Sequence, residues 1–95
     1  MIVQIDVDQV ESGLYAYRVT YEREEMYSDA GLASLTDALV GAVEGLPPEV
    51  AAVEVAYRGI VSGTYPLQVL AMNPDQIAEH AANTTAAVEE ALGDR

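Results

Sequence analysis

Ninety-five residues can enclose one hydrophobic core but not two, so residues 1–95 read as a single domain, and with no Cys the chain forms neither disulfides nor thiolate metal sites. Sixteen acids against four arginines, with no lysine, give a formal net charge of -12, which repels phosphate and disfavours direct contact with nucleic acid or an anionic membrane surface. Ala and Val supply much of the 51% apolar content while Phe and Trp are absent, so the core is thin and self-association, burying a second apolar face against a copy of the chain, is expected.

Taken in order, Val3, Ile5 and Val7 alternate with Gln4, Asp6 and Asp8, the period-two pattern of a strand with one wet face. The turn signal Glu11-Ser12-Gly13 leads into Tyr15, Tyr17, Val19 and Tyr21, alternating with Ala16, Arg18, Thr20 and Glu22. That pattern predicts a second strand pairing back as a hairpin. Charged Glu22 to Glu25 reads as a turn, after which Met26-Tyr27-Ser28 can add a short third strand.

Leu32, Leu35, Leu39, Val43 and Leu46 then recur at spacings of three and four, an apolar stripe on a helix. Its N-cap is either Ser28 with Asp29 or Ser34 with Asp37 three residues on, and Gly31 within the longer version favours the later start. The helix ends near Gly45, before Pro47-Pro48. Val53, Val55 and Tyr57 predict another strand, Gly59 to Gly63 a glycine-punctuated connection, and Leu67 to Met72 a further strand with Pro66 at its start or on an edge. Asn73-Pro74-Asp75-Gln76 opens a final helix with an N-cap, a proline at the first position and an acid at the positive end of the dipole. Ile77, Ala81, Val88 and Leu92 form its stripe and Gly93 ends it.

The expected fold is therefore α+β, with one small antiparallel or mixed sheet of four to five strands and two helices on one face, in the order β-β-(β)-α-β-β-α. Val3, Ser12, Gly13, Tyr15 and Val19 also recur fifty residues later as Val53, Ser62, Gly63, Tyr65 and Val69, which an internal ββα duplication would explain.

Few residues point to chemistry. Asp6 and Asp8 lie on one face of the first strand, roughly 7 Å apart by strand rise, and with Glu11 would be the candidate ligands for a hard cation. Paired carboxylates on a solvated strand face need no such role. His80 is the single histidine and has no nucleophile or second ligand beside it in sequence. Ser28, Ser34 and Ser62 lack the surroundings of a nucleophile, so no catalytic residue and no cofactor is expected. Tyr15, Tyr17 and Tyr21 are either a sheet face packed under helices or an interface with a protein partner. The N-terminus, Met1-Ile2-Val3-Gln4-Ile5-Asp6, lacks a basic start followed by an apolar run, and no segment approaches a membrane span. A cytoplasmic location is expected, and Asn83-Thr84-Thr85 reads as helix surface rather than a glycosylated sequon.

The hairpin through Ser12-Gly13-Leu14-Tyr15-Ala16-Tyr17 and the helix beginning Ser34-Leu35-Thr36-Asp37-Ala38-Leu39 resemble the core of HicB-like antitoxins. Ser34, Leu35, Asp37, Ala38 and Leu39 match that family's helix of the form Ser/Thr-Leu-acid-acid-Ala-Leu, and the resemblance spans residues 1–46. It implies a partial RNase H-like unit of three strands and a helix. The family's Leu-Pro-Gly-Cys-like segment is missing, with Thr20 to Glu25 in its place, no DNA-binding tail follows, and residues 47–95 are unaccounted for. The wider RNase H-like resemblance implies carboxylates that Asp6 or Asp8 and Asp37 could supply, but the third position falls near Arg58, against a two-metal nuclease.

The expected function is a non-enzymatic interaction or regulatory module that binds a basic protein partner in the manner of an antitoxin. Two alternatives accompany it: a metal-dependent hydrolase of RNase H-like type using Asp6, Asp8 and Asp37, and a structural homodimer with no other site.

Overall fold

The computed structural model describes residues 1–93. Five strands form one mixed sheet: β1 (Ile2–Glu11), β2 (Leu14–Tyr21), β3 (Glu24–Leu32), β4 (Ala52–Tyr57) and β5 (Ile60–Pro66), in the spatial order β3-β2-β1-β4-β5. β1 and β4 run parallel, with Val3 opposite Val53 and Val7 opposite Tyr57, and every other neighbouring pair is antiparallel. The described residues also form three helices, α1 (Leu35–Glu44), α2 (Leu67–Met72) and α3 (Pro74–Gly93).

The alternation in the first two strands decides which way the sheet faces. Val3, Ile5, Val7, Tyr17, Val19, Val53, Val55 and Tyr57 are buried in a single cluster with Leu35, Ala38, Leu39 and Ala42 of α1, Leu70 of α2, and Ile77, Ala78 and Ala81 of α3. All three helices thus contribute to one core on one face of the sheet. α1 lies chiefly over β2 and β1, and α3 over β5 and β4.

Ser34 caps α1, its hydroxyl accepting from the Asp37 N–H at 3.0 Å, so the later of the two predicted starts is the one formed. The longer start fails because residues 28–32 are committed to β3, which extends well past the predicted Met26-Tyr27-Ser28. The β2–β3 turn is only Glu22 and Arg23, both at positive φ (50° and 71°), the conformation a two-residue hairpin loop needs to match strand twist. Small residues on α1 make room for the sheet's rings. A Cβ on Gly45 would lie 2.9 Å from Cζ of Tyr27, and one on Gly41 3.3 Å from Cε2 of Tyr17. Those two rings meet edge to face at 6.3 Å, and the Tyr27 hydroxyl donates to the Ala42 carbonyl.

The C-terminal half departs from expectation. Gly59 to Gly63 is not a connection: Arg58 and Gly59, at φ 54° and 81°, make the tight turn, and β5 begins at Ile60. Leu67 to Met72, expected as a strand, is the helix α2. A short apolar run does not distinguish the two states. Here Pro66 closes β5 and the following residues turn back over the core, burying Leu70. The fifty-residue recurrence does not map one structural unit onto another, since Ser12-Gly13 forms a hairpin turn while Ser62-Gly63 lies inside β5, and Val19 is in a strand while Val69 is in a helix. In α3 the expected start at Pro74 and the stripe residues Ile77 and Ala81 hold, whereas the Asn73 side-chain amide donates to the Val69 carbonyl of α2; one turn on, buried Thr85 donates its hydroxyl to the Tyr57 carbonyl at 3.0 Å. Beyond it Val88 and Leu92 are exposed.

Candidate functional site

Because the helices all sit on one side, the sheet's second face is left uncovered. It is built from the alternate residues of each strand: Gln4, Asp6 and Asp8 on β1, Ala16, Arg18 and Thr20 on β2, and Glu54 and Ala56 on β4. Across it Asp6 stands opposite Arg18 on one side and Ala56 on the other, and Gln4 opposite Thr20 and Glu54.

Asp6 is the electrostatic centre of the face. Its neighbours partly bury it, and this desolvation raises its carboxyl above the ordinary aspartate value, with the Asp8 charge adding a smaller push. The Arg18 guanidinium and a 3.1 Å hydrogen bond from the Gln4 amide oppose the rise. Arg18 nevertheless forms no ion pair within 4.0 Å with another described residue. Among the described residues the single ion pair is Arg58 to Glu89, at 3.1 Å and half exposed. Arg18, Arg23, Asp6 and Glu25, together with Gln4 and Thr20, line a shallow hollow of about 410 Å³ at the end of the face nearest the β2–β3 turn.

The three candidate metal ligands are not brought together. Asp6 and Asp8 project from the uncovered face, whereas Asp37 lies in the first turn of α1 on the opposite, helix-bearing side. Among the described residues no group of three His, Cys, Asp or Glu side chains converges on a point that could hold an ion. The sheet itself separates Asp37 from Asp6 and Asp8. Glu11, at the tip of the β1–β2 hairpin, is exposed, as are Asp8 and His80. Ser34 serves as a helix cap and Ser62 donates to the Val55 carbonyl at 3.4 Å.

The tyrosines divide. Tyr17 is buried under α1 at 8% exposure, and Tyr15 is half-buried with its ring 6.4 Å from that of Tyr57, so both belong to the helix-covered face rather than to an interface. Tyr21 alone, at the end of β2, keeps 36% of its surface exposed. Alternation assigns all three to the covered face, since Tyr15, Tyr17, Val19 and Tyr21 share the parity that pairs with buried Ile5 and Val7, and Tyr21 stays exposed because it is the last residue of β2. The residues of the uncovered face were in plain view as the polar partners of that alternation. What sequence could not supply was their mutual placement, which depends on β4 settling beside β1.

No helix of the described chain is long and apolar enough to cross a membrane. Comparison with family models, with curated proteins and with solved structures finds no match to the chain.

Proposed function

We propose that the protein is a non-enzymatic interaction module that receives a cationic protein partner on its uncovered sheet face. The observation that carries this reading is the face itself: five strands wide, free of any covering helix, and presenting Asp6, Asp8 and Glu54, with Glu25 and the guanidiniums of Arg18 and Arg23 about the hollow at one end. The net charge of -12 draws a basic partner from a distance, and the exposed carboxylates of the face receive it. Arg18 sets register by pairing with an acid on the partner. The resemblance of residues 1–46 to HicB-like antitoxins supports the same direction, since β1, β2, β3 and α1 are the three strands and one helix that the resemblance implies.

The test is affinity capture from native lysate, run in parallel with wild-type protein and with a D6N/D8N/E54Q variant. The expected result is a basic protein retained by the wild type and lost from the variant while the variant's circular dichroism is unchanged. Recovery of nucleic acid alone, or of the same proteins by both baits, would overturn the reading.

A further inference from the structure

The two edges of the sheet are unlike. β3 carries Glu24, Glu25 and Asp29, shifts register twice against β2, and passes through a left-handed Gly31 at φ 82°. Charge, bulges and kinks are the devices by which an edge strand resists pairing with another chain. β5 has one register shift against β4 and a proline only at its last residue, Pro66, but no charge to use in this way. It pairs with β4 on one side only, so alternate N–H and C=O groups along its outer side have no strand partner.

The absence of charge extends beyond the strand. Residues 59–74, covering β5 and α2, contain no Asp, Glu, Lys, Arg or His, in a chain that is 21% charged. Three exposed apolar side chains sit within that stretch: Val61 on β5 at 48%, and Val69 and Met72 on α2 at 43% and 80%. Two copies of a molecule with net charge -12 repel each other over most of their surface, and this seam is where that repulsion is least. A basic partner, conversely, finds no carboxylate here to hold it. The charge pattern therefore selects a copy of the same chain as the occupant.

We infer that β5 pairs antiparallel with β5 of a second copy about a two-fold axis, joining two five-stranded sheets into one continuous sheet with the helices of both copies on the same side. Such an isologous contact is self-complementary and closes at two. Main-chain hydrogen bonds supply its register, and Val61 with its symmetry mate supplies apolar contact. The β5 edge borders the acidic sheet face, since Val61 and Thr64 stand opposite Ala56 and Glu54, but its pairing uses main-chain groups that face does not, and the dimer stands whether or not a cationic partner is found.

Sedimentation equilibrium tests it, with wild type, a V61K/T64K variant on β5 and an M26K/S28K variant on β3. Each variant makes the chain less negative by the same amount, so reduced repulsion alone would strengthen association in both. The wild type is expected at the mass of two 10.1 kDa chains. V61K/T64K is expected to weaken the dimer by more than about tenfold, while M26K/S28K leaves it at least as tight. A wild type that stays a single chain at about 1 mM, or a V61K/T64K dimer as tight as wild type, overturns the inference. Should V61K/T64K fail to fold, amide exchange on the wild type decides: β5 amides are expected to gain protection with rising chain concentration and β3 amides not to, and concentration-independent exchange in β5 overturns the pairing.

Discussion

Asp6 shows how a single side chain can report on the uncovered face. Burial raises its carboxyl pKa in the folded chain relative to an ordinary unfolded value of about 3.9. A raised folded pKa contributes stability that is complete below the unfolded value and is lost as pH climbs through the folded one. Replacing it by Asn removes a partly desolvated charge while keeping the shape. The D6N variant is therefore expected to gain on the wild type in urea-denaturation midpoint as pH is raised from about 3 to 7, and a difference independent of pH would contradict the burial argument. Tyr27 is the counterpart on the covered face, its phenol desolvated and pushed up to about 12. Its contribution to stability persists up to about pH 10 and declines as pH rises towards the folded value.

At the scale of elements, α1 is shaped by what it must pass over. Gly45 has an ordinary right-handed φ of -88°, so Ala there meets no backbone penalty and would be expected to stabilise the chain by restricting the unfolded state. Tyr27 reverses that sign, since the new methyl would sit 2.9 Å from its ring and the hydroxyl is held by Ala42. G45A is expected to cost about 1–3 kcal/mol in chemical denaturation, with G41A, at a looser 3.3 Å, costing less. The elements that sequence made legible were those whose pattern had a single physical solution. Period-two alternation in β1, β2 and β4 and Asn73-Pro74 before α3 each admitted one reading, and Gly31 favoured Ser34 over Ser28 as the start of α1. Leu67 to Met72 admitted two, and only the position of Pro66 at the end of β5, with Leu70 needed over the core, made it a helix. The candidate face was legible as a set of polar residues and illegible as a surface, because Glu54 reaches it only through a pairing with a strand fifty residues away.

For the molecule as a whole, the net charge of -12 works against the compact state that the core holds together. Screening relieves this repulsion. The thermal midpoint is expected to rise by several degrees between low salt and about 1 M salt, corresponding to a gain on the order of 1 kcal/mol for a domain of this size, and a flat or falling midpoint would show that the acids are locally compensated. The parallel pairing of β1 with β4 also sets the order of assembly. β1, β2 and β3 can zip together through two short turns, but the central seam joins Val3 to Val53 and must wait for a long loop to close. As the nascent chain leaves the ribosome, the inner edge of β1 is therefore unsatisfied until residues 52–57 arrive. A fragment ending after Gly45 would carry that bare edge permanently and should aggregate, so the second half of the chain acts as the cap that makes the first half safe to synthesise.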